Sequence, residues 1–146
     1  MSDKITFTLH ELVAEVDAHA DRILRERYGI TGSQFVALAV LADVEPTDIT
    51  RLAFCLGVSK AAVSKRVPGL VEAGWVTTRS EPGQGRRVIL ELTPTARDLV
   101  ATAGPELDAR FAELIDHPEA AGIDLAVLND QLATLTRILR GNGPTA

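Results

Sequence analysis

The sequence predicts a mainly helical chain carrying one small β-hairpin, and three observations predict it. Apolar residues recur at three- and four-residue spacing over most of the length. The period changes to alternation only in "WVTTRS" (75–80) and "RVILEL" (87–92). Between those runs stands "EPGQG" (81–85), rich in residues that turn a chain back on itself. A length of 146 residues with 46% apolar side chains suits one soluble domain that buries a core without disulfide or metal. The lone Cys55 excludes an intramolecular disulfide and fits a reducing, cytoplasmic setting.

The helices follow in order. Leu9, Leu12, Val13, Val16, Ala20, Ile23 and Leu24 stripe a first helix that Gly29 stops. Thr8 stands where it would cap that helix, with Glu11 three residues on to complete a capping box. A second helix over residues 33–42, "SQFVALAVLA", is apolar nearly all round, which puts it at the centre of the fold. "DVEPTD" (43–48) reads as a turn. Ile49, Leu52, Ala53 and Leu56 stripe a third helix, capped by Thr47 or Asp48 and ended by Gly57. Ser59 then supplies an N-cap after only a short turn. Two short helices across a glycine turn, the second basic on one face, are the signature of a helix-turn-helix.

Pro68 lacks the amide that would bond the Ser64 carbonyl, so it either bends this second helix or ends it. Beyond the hairpin, Thr93-Pro94 starts a long helix toward Asp116, interrupted or bent at Gly104-Pro105. The final helix, from about Ile123, carries Leu125, Leu128, Leu132, Leu135 and Leu139 at heptad spacing. "GNGPTA" (141–146) reads as a frayed tail. No apolar run approaches the roughly 20 residues of a membrane span, and the first residues hold no signal-peptide core.

The net charge of −5 hides an uneven distribution. Residues 51–97 hold 8 basic and 3 acidic side chains, whereas residues 1–50 (4 and 9) and 98–146 (3 and 8) are acidic. A basic centre in an acidic frame is a local match for a phosphate backbone. On the second helix of the helix-turn-helix, Val63, Val67, Leu70 and Val71 face the core, and Lys60, Ala61, Ser64 and Lys65 share the opposite face. Lysines there reach phosphates or guanine edges, Ser64 bonds base or phosphate, and Ala61 offers a methyl and close approach. Ser59 and Arg66 flank this surface. The alternative is an ordinary solvated helix face.

Three stretches together resemble the MarR family of winged-helix transcriptional regulators: "GITGSQFVAL" (29–38), "LAFCLGVSKAAVSKRV" (52–67) and "EAGWVTTRSEPGQGRRVILELTPTAR" (72–97). The resemblance covers almost the whole chain. It implies a winged helix-turn-helix over residues 33–93, flanked by helices of a dimerisation region at 1–32 and 94–146. Two positions depart from the family pattern. Gln84 stands where an aspartate usually orients the arginine matching Arg86, and Pro68-Gly69 replaces polar helix formers.

In that frame Arg86 at the wing tip is the expected minor-groove residue, with Arg79 and Arg87 beside it on the hairpin. The alternative for Arg86 is an ion pair with Glu81. Leu9, Leu12 and the five leucines of the last helix are expected at a homodimer interface, which would set two recognition helices roughly 34 Å apart on a near-palindrome. The alternative is a seam that packs within its own chain.

The family also implies a small aromatic or anionic effector, with Phe54 and Cys55 as candidate pocket residues, although packing against a neighbouring helix is the plainer expectation for both. The scattered His10, His19 and His117 complete no zinc site, and no cofactor is implied. No nucleophile elbow, metal-ligand spacing or phosphate loop points to an enzyme. The expected function is a dimeric, sequence-specific DNA-binding repressor; the second reading is a winged-helix module for a protein partner.

Overall fold

The computed structural model describes residues 4–83, 85 and 87–141. Its elements are α1 (Ile5–Tyr28), α2 (Gly32–Val44), β1 (Thr47–Asp48), α3 (Ile49–Leu56), α4 (Lys60–Glu72), β2 (Val76–Ser80), β3 (Val88–Leu92), α5 (Pro94–Leu114), a 3₁₀ turn (Pro118–Ala120) and α6 (Leu125–Gly141). They divide into two units, Met1–Arg110 and Phe111–Ala146. The expected class holds: helices dominate, and a small antiparallel sheet has the order β1-β3-β2.

In the first unit, α2 is central as its apolar sequence implies. It packs on α1, α3 and β3, and buries Phe35, Ala37, Leu38 and Leu41. Leu24 of α1, Leu52 and Ala53 of α3, Val63, Val67 and Leu70 of α4, Leu90 and Leu92 of β3, and Leu99 and Ala103 of α5 join the same core. Each leucine so buried contributes about 1.5–3 kcal/mol over its exposed state. Val71, expected in the core, is instead 40% exposed, because it follows Leu70 by about 100° around the helix.

Several boundaries differ from the sequence reading, each for a local reason. α1 begins at Ile5 with no side-chain cap, and Thr8 lies inside it, its hydroxyl donating to the Lys4 carbonyl at 3.2 Å. A threonine within a helix commonly returns its bond to the preceding turn. The Thr8–Glu11 box therefore does not form, and the capping box belongs to α2. There Thr31 Oγ1 accepts from the Gln34 amide and Gln34 Oε1 from the Thr31 amide, both at 3.0 Å.

"DVEPTD" is more than a turn: Thr47 and Asp48 pair with Leu90 and Ile89, a two-residue ladder too short to leave a periodic signal. α4 runs unbroken through Pro68 to Glu72, and α5 runs unbroken through Gly104-Pro105. In α4 the buried Val63, Val67 and Leu70 flank the proline on both sides, and their burial outweighs one lost backbone bond.

The second unit contains the 3₁₀ turn, capped by His117 Nδ1 accepting from the Glu119 amide, and α6. Asp124 caps α6, its Oδ1 accepting from the Val127 amide at 3.1 Å, so the helix starts at Leu125 rather than Ile123. None of its described residues is buried, and Leu139 is 73% exposed. Gly141 closes α6; the rest of the expected frayed tail, 142–146, lies outside the described residues.

Candidate nucleic-acid interface

Three local devices fix the helix-turn-helix. Asp48 caps α3, its Oδ1 accepting from the Arg51 amide at 2.8 Å. Gly57 closes α3 at φ 69°, a left-handed conformation that costs other residues about 1–2 kcal/mol. Ser59 then caps α4, its hydroxyl accepting from the Ala62 amide at 3.1 Å. With Val63, Val67 and Leu70 locked inward, Ser59, Lys60, Ala61, Ser64 and Lys65 are all exposed. The small residues and the lysines thus form one cationic surface without a carboxylate of α4 at its N-terminal end.

Arg66 is exposed as well, and shares a cleft with Lys65, Ser33 and Gln34. It also lines a cleft of about 550 Å³ between α1, α2 and α4, with Asp17, Asp21, Gly32, Val36 and Val58. Asp21 is engaged there, accepting from the Gly32 amide at 2.8 Å and from Arg25 at 2.6 Å. The Gly32 amide first, and Arg25 second, hold its carboxyl below the usual carboxylate range.

The hairpin pairs Val76 with Leu92 and Ser80 with Val88, in the expected place. Its arginines are partly engaged by the protein itself. Arg79 reaches Glu81 at 2.8 Å and Glu91 at 3.5 Å. Arg87, just ahead of β3, donates Nε to Asp48 Oδ2 at 3.1 Å. Gln84 and Arg86 lie outside the described residues, so neither the minor-groove contact nor the Glu81 alternative for Arg86 is placed.

Two clamps hold the hairpin to its neighbours. Thr93 Oγ1 donates to the Gly74 carbonyl at 2.7 Å and accepts from the Ala96 amide at 3.2 Å. Glu45, at the end of α2, accepts from the Leu92 amide at 3.3 Å and from Arg97 Nε at 2.8 Å.

Asp48 is the residue that sequence reasoning underrated. Its role as a cap was one of two alternatives, and its pairing with Arg87, 39 positions away, leaves no local signal. Its carboxyl is held below the usual range chiefly by the Arg51 amide, then by Arg87 and the charge of Lys60, against the opposing effect of burial.

Phe54 departs from expectation in a different way. Phe54 is 65% exposed rather than packed on a neighbouring helix, because the inward stripe of α3 is Leu52 and Ala53. Cys55 is half-buried, and neither residue lines the Arg66 cleft. Among the described residues, no three His, Cys, Asp or Glu gather as a metal site, and no helix is long and apolar enough to cross a membrane.

Residues 28–87, which span α2, the helix-turn-helix and the first strand of the hairpin, match the model of the MarR family. That segment of the chain is similar to the MarR family. MarR-family regulators are also its likenesses among solved structures. One from Rhodococcus sp. RHA1 is 23% identical with a TM-score of 0.76, covering 94% of each chain. S. aureus MepR in complex with DNA is 19% identical with a TM-score of 0.74, over 94% of this chain and 97% of that one. Streptococcus pneumoniae FabT in complex with DNA is 18% identical with a TM-score of 0.73, over 98% of this chain and 100% of that one. At these identities the likeness is one of fold. No curated protein matches the sequence.

Proposed function

We propose that this chain is a MarR-family, sequence-specific DNA-binding regulator of transcription, acting in the cytoplasm as a homodimeric repressor on a near-palindromic operator. The observation that carries the reading is the exposed face of α4. Ser59, Lys60, Ala61, Ser64 and Lys65 stand together at the N-terminal half of a helix anchored through its other side. Cations there neutralise phosphates, while serine and alanine allow base edges to be approached. The structures of MepR and FabT with DNA support a DNA partner for the same fold. Arg86, Arg79 and Arg87 are assigned to the wing contact, and residues 33–93 to DNA binding. Enzymatic chemistry has no part in the reading.

Dimerisation is assigned to 1–32 and 94–146. Leu12 on α1 and Leu135 and Leu139 on α6 are exposed, and Leu9, Leu125, Leu128 and Leu132 complete the two apolar stripes. A repressor of this kind is relieved by a small molecule. Phe54 and Cys55 are the residues assigned to a small aromatic or anionic effector, since in the Arg66 cleft Asp17 and Asp21 stand beside the guanidinium and oppose an anion.

The test is fluorescence-anisotropy binding to DNA upstream of the chain's own gene, at several salt concentrations, with unrelated duplex as competitor. Wild type should prefer that DNA, and Lys65→Ala and Arg86→Ala should each make the log–log salt slope shallower by about one. Equal binding to both duplexes with unchanged mutants would move the protein-interaction reading to the front.

A further inference from the structure

A carboxylate stands among the cations of the proposed DNA-binding surface. Asp48 stands where three things meet: the start of α3, the charge of Lys60 at the start of α4, and Arg87 at the base of the hairpin. Its two oxygens have separate duties. Oδ1 accepts the Arg51 amide and caps the helix; Oδ2 holds the Arg87 guanidinium. Capping needs no charge, since asparagine caps as well as aspartate. The charge therefore acts on the two cations.

Resting on the DNA-binding reading above, we propose that Asp48 is a specificity-determining residue that restrains sequence-independent DNA binding by holding Arg87 back from the phosphate backbone. The pair is open to solvent, with side chains 44% and 26% exposed. Such pairs are weakly bound, so a phosphate brought close by a well-seated recognition helix competes for the guanidinium on even terms. A random duplex, held more loosely, meets Arg87 still neutralised and Lys60 partly offset. Affinity for any duplex scales with the number of phosphates neutralised. One cation withheld from loose complexes and released to the fitted one widens the gap between the two.

The variant Asp48→Asn keeps the cap and removes the charge. Anisotropy on the full chain would compare wild type, D48N and D48N/R87A on random duplex and on the upstream duplex, from 50 to 300 mM salt. D48N should bind random duplex about three- to tenfold tighter near 0.1 M salt, with a slope steeper by about one. Its preference for upstream DNA should shrink, and adding Arg87→Ala should abolish the gain. If D48N binds random duplex no better than wild type, or more weakly, the inference is overturned, the weaker result marking Asp48 as a support for the wing. If wild type itself shows no salt-dependent affinity for either duplex, the DNA-binding reading falls and takes this inference with it. Thermal melting of D48N within a few degrees of wild type verifies that the cap persists.

Discussion

Thr47 is buried, yet its hydroxyl has no hydrogen-bond partner among the described residues. A buried hydroxyl left without a partner costs about 1–3 kcal/mol, whereas an apolar group of the same shape costs nothing of the kind. Thr47→Val should therefore raise stability by about 1 kcal/mol, read as a thermal midpoint higher by about 2–4 °C. Gly57 is the opposite case. A Cβ added there meets nothing within 4 Å, so space is not the objection. The objection is φ 69°, and Gly57→Ala should lower stability by about 1–2 kcal/mol in a denaturant titration. Gly57 was legible in the sequence because a glycine after an apolar stripe marks a helix end. The orphan at Thr47 was not, because its burial depends on β3, 43 positions on from Thr47 to Leu90.

Among the elements, those with a long periodic stripe were legible and those made by tertiary pairing were not. The stripes of α1 and α3, the Ser59 cap, both long strands and the Thr93-Pro94 start of α5 stand where the sequence places them. β1 exists only because β3 lies beside it, and the start of α1 shifted because nothing stops a helix upstream of Thr8. Of the candidate interface, the α4 face was readable from spacing, whereas the cleft that Arg66 lines needed the packing of α1 on α2.

Continuity through Pro68 carries its own prediction. The helix sustains a missing amide at an exposed position, so Pro68→Ala restores one backbone bond and should stabilise the fold by about 1–2 kcal/mol. Helix starts also set the acid response. Asp21 and Asp48 each bond a helix-start amide and have carboxyls lowered by folding. The stability they add is complete above the ordinary carboxylate range and is lost as pH falls through and below it. Melting curves from pH 7 to pH 3 should show that loss, and Asp21→Asn should flatten it.

For the whole molecule, the heptad stripe of α6 is half-buried at Leu125, Leu128 and Leu132 and exposed at Leu135 and Leu139, and a second copy is proposed to cover it. Sedimentation velocity should give a dimer for wild type and a monomer for Leu135→Glu, with DNA affinity falling in the same variant because two half-sites are no longer read together. A dimer that survives Leu135→Glu would return the stripe to packing within its own chain.

One junction bears on how such an assembly responds. Thr93 ties the entry of the hairpin to the first turn of α5, and Glu45 ties the last strand residue to Arg97 one turn along. A corner braced on both sides resists bending. A swing imposed on α5 would reach the hairpin through these bonds, in the manner of a crank and its handle. A molecule that reorients that helix would then not need to touch the wing in order to lift it.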